Sequence, residues 1–297
     1  MVVCFWLVVA FLVCLQEGPD GVAASSSSFR NHLPVQNKSR FWNRNNKCTT
    51  TSNLQHSYFA IRHGQSKANV QQIIASDPNL ATQNYGLSRT GKQQARRAGK
   101  QLVQDFVEAQ ASDQSPPSGI VILTSDFLRA KETAQELATA IGEHNRSSPK
   151  DPIRLLCRND TTNEWCKVEA NHRRRRNNKQ CGFTVDIRLR ERFFGDYDGT
   201  SDDHYQDVWK EDLLDPYHTI KGVESVWSVL DRASSVVQDC EAISRDQSQN
   251  QRLWIVLVAH GDVLQILQTG FCNKMNPKDH RSLPHLETAT LRPLQQS

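Results

Sequence analysis

The chain has 297 residues, of which 37% are hydrophobic and 23% are charged, a composition typical of a folded protein with one large core or two modest ones. Its formal charge of +4 lies mostly near the N-terminus, because the chain beyond residue 57 carries 31 basic and 30 acidic residues. That balance supplies no bulk positive charge for nucleic-acid binding, so we expect no nucleic-acid partner.

The first 56 residues have the composition of a targeting sequence. Residues 2–15 form an uncharged apolar run that is short for a bilayer span and typical of a signal-peptide core, so we predict a signal peptide over residues 1–24. A low-complexity targeting or linker segment follows at residues 25–56, and no Asp or Glu occurs between Gly21 and Ser76. This arrangement resembles a bipartite plastid presequence. We therefore expect targeting to the secretory pathway and on to a plastid, with secretion or an endomembrane location as alternatives, and no stable membrane span in the mature protein.

Beyond residue 57, short apolar runs alternate with helical patterns. The predicted strands cover residues 58–61, 119–123, 185–189, 253–259 and 289–291. Helical spacing of apolar residues begins at residue 90 and recurs at residues 127–141, 223–243 and 263–269. Thr90 and Gln93 have the spacing of a capping box, and Ser125 can cap the second helix.

This alternation predicts the α/β class. Continuous apolar strands between helices favour a three-layer α/β/α sandwich around a mostly parallel sheet, formed by one domain over residues 57–297. The polar residues at about 144–182 follow neither pattern, and we interpret them as an insertion. Three of its cysteines, Cys157, Cys166 and Cys181, could pair in an oxidising compartment or remain thiols.

Two histidines occupy equivalent places at predicted strand ends. His63 follows the strand that ends at Ile61, His260 follows the strand that ends at Ala259, and each precedes a glycine. The carboxyl ends of parallel strands form one edge of a sheet, and sites of α/β proteins lie there, so we expect the two imidazoles to face each other. A pair in this position favours a functional role over the structural role that a lone histidine would have.

Arginines and carboxylic acids accompany the histidines along the same edge. Arg62 adjoins the first histidine, and Arg129 follows the strand that ends at residue 123. Guanidinium groups match phosphoryl oxygens through bidentate donors, and phosphoryl transfer also needs an acid for the leaving oxygen. From their placement alone, Glu191, Glu169 and Asp186 are equal candidates for this acid.

An ordered set of motifs decides between these acids. The set consists of Arg62-His63-Gly64-Gln65-Ser66-x-x-Asn69, Gly86-Leu87-Ser88-x-x-Gly91, Ser125-x-x-x-Arg129-Ala130, Leu189-Arg190-Glu191-Arg192, Gly222-Val223-Glu224-Ser225 and His260-Gly261-Asp262. With these motifs in this order, the chain resembles the histidine phosphatase superfamily, in its phosphoglycerate-mutase-like branch, from about residue 58 to residue 293.

The resemblance implies a role for each matched residue. His63 would be the nucleophile that becomes phosphohistidine, since guanidinium charge beside it favours the neutral imidazole that attack requires. Glu191 would be the proton donor and later the base that activates water. The phosphoryl oxygens would be held by a second catalytic histidine, His260, and by Arg62, Arg129, Asn69, Gly64 and Gly261. The resemblance implies neither a metal nor another cofactor, and its substrate class is a small phosphorylated metabolite.

Departures from the family pattern concern the acceptor of the phosphoryl group. Phosphoglycerate mutases have Glu-Arg-His-Tyr-Gly at the acid, whereas this chain has Glu191-Arg192-Phe193-Phe194-Gly195 and lacks the Tyr. We therefore expect a phosphomonoester hydrolase, with mutase-type phosphoryl transfer as the alternative and an inactive binding module as a third hypothesis. The run Arg173–Arg176 could steer an anionic substrate or be solvated, and Trp209 and Tyr217 could line the site or pack beneath it. Neither the substrate nor the oligomeric state follows from the sequence.

Overall fold

A central sheet organises the protein, as seen in a computed structural model that describes residues 54–159, 162, 164–168, 182–246, 251–272 and 275–295. Its strands, β1 to β7, cover Ser57–Arg62, Ile120–Thr124, Leu155–Asn159, Glu164–Lys167, Thr184–Val185, Trp254–Ala259 and Leu291–Pro293. Their order is β4-β3-β2-β6-β1-β7, and the short β5 pairs with β2. β3, β2, β6 and β1 run parallel, whereas β4 and β7 are antiparallel edge strands. The predicted, mostly parallel sheet is confirmed.

Helices cover both faces of this sheet. The helices α1 to α7 span Lys67–Gln71, Pro78–Ala81, Arg89–Ser112, Leu128–Ser147, Tyr205–Leu214, Val226–Asp246 and Gly261–Phe271. Successive strand residues point to opposite faces, so Val256 packs with Leu102 and Phe106 in the α3–α4 layer, and Leu257 packs with Val237 in the α6–α7 layer. Burial on both faces explains the continuous apolar strands, and the three-layer α/β/α prediction is confirmed.

The parallel pairing brings three strand ends together. Arg62 at the end of β1 stands opposite Ala259 at the end of β6. Thr124 at the end of β2 stands opposite Val258 on the other side of β6. Residues that immediately follow β1, β2 and β6 therefore share one edge of the sheet.

The two predicted helix caps differ from those in the structure. The N-cap of α3 is Ser88, whose hydroxyl accepts a hydrogen bond from the Gly91 N–H at 3.0 Å, so the predicted capping box at Thr90 is wrong. The N-cap position of α4 is Phe127, which makes no side-chain cap. Ser125 instead accepts a hydrogen bond from the Phe127 N–H at 3.2 Å and stabilises the turn before the helix. Ser and Thr residues near a helix start can each accept a backbone N–H, and the residue at which the helix begins in the fold decides which of them forms the cap.

The strand predicted at residues 185–189 is wrong for most of its length. Thr184–Val185 alone pairs with β2, and Ile187–Leu189 forms a 3₁₀ helix. Asp186 begins that turn by accepting the Arg188 N–H at 3.0 Å, and its carboxylate also pairs with the Arg188 guanidinium at 2.7 Å. Asp186 therefore has a structural role and is not available as the acid.

The segment predicted as an insertion contains regular structure where it is described. α4 continues to Ser147, and β3 and β4 form an antiparallel pair at the sheet edge, with Cys157 opposite Cys166. Short, half-exposed edge strands escape the pattern of a continuous apolar run. The predictions on residues 1–53, Glu169, Arg173–Arg176 and Cys181 lie outside the described residues and stay predictions.

Candidate active site

His63 lies directly after β1, and both of its ring nitrogens have partners. Nδ1 lies 2.8 Å from the carbonyl oxygen of Gly64, and because a carbonyl can only accept, Nδ1 carries the proton. Nε2 holds the lone pair and accepts a hydrogen bond from Arg129 Nε at 3.0 Å. Burial, Arg129 and Arg62 together hold the pKa of His63 well below its usual value. At neutral pH the ring is therefore uncharged, and its Nε2 lone pair is held by Arg129.

Arg129 is almost completely buried near the start of α4, which is unusual for a charged side chain. Besides its bond to His63, it donates from Nη2 to the carbonyl oxygen of Ala75 at 2.9 Å. The guanidinium also lies over the ring of Phe127, 5.0 Å from the ring centroid. These contacts hold its plane beside the imidazole of His63.

His260 occupies the N-cap position of α7, opposite the first histidine. The two imidazole rings meet edge to face with their centroids 5.2 Å apart. His260 Nε2 lies 3.1 Å from Ser125 Oγ, and Nδ1 lies 3.7 Å from a carboxylate oxygen of Glu191. Burial, Arg129 and His63 lower the pKa of His260 well below its usual value. The expectation that the two strand-end histidines face each other is therefore met.

Three buried nitrogens surround His63 without a hydrogen-bond partner among the described residues. They are Arg62 Nε, Arg129 Nη1 and His260 Nδ1. An unpaired buried polar group costs about 1–3 kcal/mol, so nitrogens of this kind on three neighbouring side chains indicate a site built for an anion. Arg62 is oriented by Leu286, whose carbonyl oxygen accepts from Nη1 at 3.3 Å, and by His285 Nε2 at 3.1 Å.

The two glycines of the predicted phosphate site differ in their surroundings. Gly261 is the first residue of α7, where backbone N–H groups have no intrahelical acceptor and favour anions. Gly64 instead donates its N–H to Thr133 Oγ1 at 3.1 Å. A side chain at Gly64 would stand 2.5 Å from the carbonyl oxygen of Gly91, so this glycine allows the loop to approach α3. Gly64 therefore has a packing role, and the predicted phosphate-binding roles of both glycines stay predictions.

Asn69 has a local structural role. Its Oδ1 accepts hydrogen bonds from the N–H and the hydroxyl of Ser66, at 3.0 and 2.9 Å, in a capping box at the start of α1. The side chain is therefore held by the cap. Its predicted contact with a phosphoryl oxygen stays a prediction.

Glu191, with 9% of its side chain exposed, lies beside His260, just after the 3₁₀ turn that replaces the predicted strand. The Arg192 N–H donates to its Oε1 at 3.1 Å. Burial raises the pKa of Glu191 to about 7, with the charge of Asp262 acting in the same direction and that of Arg129 against it. A carboxyl with this pKa can release or accept a proton near neutral pH, as a general acid or base must.

A buried charge cluster behind the acid was missed by the sequence reasoning. Arg192, with no exposed surface, forms two 2.7 Å bonds to Asp212 and one of 3.2 Å to Asp262. Trp209 donates its indole N–H to Asp262 at 3.0 Å, so it packs beneath this part of the site. Arg192 and Asp262 belong to matched motifs, but the sequence assigned them no role. Asp212 and Trp209 come from α5, whose position no local pattern revealed.

Three further observations concern an exposed tyrosine, metal binding and membrane spans within the described residues. Tyr217 is largely exposed and stacks on Trp227 with a centroid distance of 5.4 Å. No cluster of three or more His, Cys, Asp or Glu side chains within the described part of the chain is arranged to hold a metal ion. None of the helices described is long and apolar enough to cross a membrane.

Similarity to known proteins agrees with this geometry. The model of the histidine phosphatase superfamily (branch 1) matches residues 58–150 and 171–296, and the gap falls inside the predicted insertion. The solved structure of a mycobacterial hydrolase, hydrolase 1, is 21% identical, with 80% of this chain and 87% of that chain covered and a TM-score of 0.52. A mycobacterial glucosyl-3-phosphoglycerate phosphatase in complex with VO3 is 21% identical, with coverage of 80% and 90% and a TM-score of 0.51. Similarity at this level shows a shared fold. No curated protein sequence matches significantly.

Proposed function

The chain belongs to the histidine phosphatase superfamily, and from that premise we propose that it hydrolyses a small phosphomonoester through a phosphohistidine on His63. The observation that carries this proposal is the hydrogen bonding of His63. Gly64 fixes the proton on Nδ1, so the lone pair of Nε2 points to the cations that would hold a phosphoryl group. A neutral, oriented imidazole is what nucleophilic catalysis requires.

Substrate binding requires an exchange of hydrogen bonds. In this structure Arg129 Nε donates to the lone pair of His63 Nε2, and a lone pair held in this way cannot attack phosphorus. A phosphomonoester dianion offers Arg129 a stronger, charge-assisted acceptor. Arg62, His260 and the N-terminus of α7 add donors around the same anion, where charge increases in the transition state.

The reaction then proceeds in two steps with Glu191 in both. First, His63 Nε2 forms a bond to phosphorus while the ester P–O bond breaks, and the leaving oxygen takes the proton of the Glu191 carboxyl. Second, the resulting carboxylate takes a proton from water, the water oxygen bonds to phosphorus, and the N–P bond breaks to release inorganic phosphate. The pKa of about 7 makes both forms of Glu191 accessible at neutral pH.

Water is favoured as the acceptor because of Phe194. This residue replaces the Tyr of the mutase motif, and its buried ring packs edge to face with Tyr205, 4.8 Å between centroids. Without a hydroxyl, Phe194 cannot bind a second substrate oxygen. Incubation with 3-phosphoglycerate and a bisphosphoglycerate primer tests this choice, since an isomerised product without free phosphate would support the mutase alternative.

His63→Asn and His144→Asn form a matched pair for testing the mechanism. His144 lies in the last turn of α4, at the opposite end of that helix from Arg129. With p-nitrophenyl phosphate, we expect His63→Asn to lower kcat by a factor of roughly 10³ or more, whereas His144→Asn keeps the wild-type rate. Rapid quenching should trap acid-labile phosphate on the wild type and on His144→Asn only. Undiminished hydrolysis by His63→Asn would rule out the proposed nucleophile.

A further inference from the structure

Asp262 is a buried carboxylate two residues after His260, in the first turn of α7. Three segments that are distant along the chain converge on it. Arg192 Nη1 lies 3.2 Å from it, the indole nitrogen of Trp209 lies 3.0 Å away, and His280 Nε2 lies 3.3 Å away. A carboxylate that only stabilised the N-terminus of α7 would not need these three side-chain partners, so Asp262 has a further role.

Arg192 connects this carboxylate to the acid. Its guanidinium is fixed by Asp262, by two bonds to Asp212 and by the carbonyl oxygen of Glu224 at 2.6 Å. Its backbone N–H donates to Glu191 Oε1 at 3.1 Å. The acid is thus attached to a main chain that the buried ion pairs hold in place.

Asp262 also acts on the acid through its negative charge. Burial acts to raise its pKa, but the His280 ring beside it, together with Arg192 and Arg281, holds that pKa far below its usual value. Around Glu191, the charges of Arg129 and Arg62 and the Arg192 N–H favour the carboxylate, and Asp262 opposes them. His260 and Tyr205 complete the ionisable surroundings of the acid.

We propose that Asp262 is a positioning residue for Glu191, holding its main chain beside His260 through Arg192 and keeping its carboxyl protonated through its own negative charge. The proposal rests on the function proposed above, in which Glu191 protonates the leaving oxygen. Alkyl phosphates have poorly stabilised leaving oxygens and need that proton. Aryl phosphates with electron-withdrawing rings release a stable aryl oxide anion and hardly need a proton from Glu191. Asp262 therefore matters chiefly for alkyl phosphate substrates.

The test compares Asp262→Asn with the wild type on β-glycerophosphate and p-nitrophenyl phosphate, over a range of pH. The measured quantity is kcat/KM, which contains steps up to phosphorylation of His63 and reports ionisation of the free enzyme. Removal of a like charge lowers the pKa of Glu191, so we expect the alkaline limb for β-glycerophosphate to move down by roughly one pH unit. At pH 7.5 the alkyl ester should lose roughly 5- to 10-fold in rate, and the aryl ester much less.

Asp212→Asn is the matched control. Asp212 is a fully buried partner of Arg192, so its loss costs the fold a similar ion pair, but the main charges acting on Glu191 are those of Arg129, Asp262 and Arg62. The alkaline limb should keep its wild-type position in Asp212→Asn. Asp262→Glu, which keeps the negative charge, should also have its alkaline limb at the wild-type position. If Asp262→Asn does not fold, Asp262→Ser removes the same charge with a smaller side chain.

An unmoved limb in a folded Asp262→Asn variant, or an equal shift in Asp212→Asn, would overturn the role of Asp262. Absence of His63-dependent hydrolysis of either ester in the wild type would instead overturn the proposed function.

Discussion

Replacement of Glu191 by Gln should inactivate the enzyme and stabilise its fold. Only 9% of the Glu191 side chain is exposed, and this burial raises its pKa to about 7 in spite of the charge of Arg129. In the unfolded chain the same carboxyl releases its proton at lower pH. Stability therefore decreases as the pH rises from the unfolded to the folded pKa, because the unfolded chain binds fewer protons than the folded protein over that interval.

The magnitude follows from the interval between the two pKa values. An unperturbed glutamate carboxyl has a pKa of 4.5, Glu191 has a pKa of about 7 in the folded protein, and each pH unit between them is worth about 1.4 kcal/mol. The wild type thus loses about 3 kcal/mol of unfolding free energy above pH 7. Gln has a similar shape and does not titrate. The stability of Glu191→Gln relative to the wild type should rise by about 2 kcal/mol between pH 5 and pH 8.

Urea unfolding of both proteins at pH 5 and pH 8 measures this difference directly. Glu143→Gln serves as the control, because Glu143 is exposed on α4 and its change should have the same small effect at both pH values. Steady-state hydrolysis of β-glycerophosphate by Glu191→Gln should fall by a factor of roughly 10² or more. An equal stability difference at pH 5 and pH 8 would contradict this prediction, because it would mean that burial does not oppose ionisation of Glu191.

Two further changes test the geometry of the site. Arg129→Lys should lower kcat/KM by roughly 10²–10³ while the protein stays folded by circular dichroism, because an ammonium group cannot offer the planar fork beside His63; an unchanged rate would show that a point charge suffices. Gly91→Ala places a methyl group against the Gln65 carbonyl oxygen, closer than contact distance, and should cost about 3 kcal/mol in thermal unfolding. In the control Gly142→Ala, the new methyl group meets nothing closer than 3.8 Å, and the change should stabilise the protein by about 0.5–1 kcal/mol. Equal melting temperatures of the two glycine variants would contradict the close approach of Gly91 to Gln65.

The strongest sequence predictions concerned strands that are buried on both faces. β1 and β6 are recognisable because every residue meets a helix layer or a neighbouring strand, so the apolar run is unbroken. His63 and His260 could be located for the same reason, since each follows such a strand. β5 could not be recognised, because only Thr184–Val185 pairs with β2 and the following residues turn at once.

The site residues likewise include some that the motifs placed correctly and some whose contacts only the fold reveals. Arg129 and Glu191 were selected by motif, and the fold brings both beside the histidines. Gly64 belongs to the same motifs, yet its N–H is taken by Thr133, a residue 69 positions away whose orientation no pattern shows. Asn69 likewise has its oxygen bound by a local cap.

The buried strands β1, β2 and β6, the helices α3, α4, α6 and α7 and the family motifs could be predicted from the chain alone, because each depends on neighbours along the chain. The tautomer of His63 and the raised pKa of Glu191 could not. Nor could the cluster that joins Arg192 to Asp212 and Asp262. These properties arise from burial and from charges supplied by α4, α5 and α7, and the distances that govern them exist only after those helices pack against the sheet.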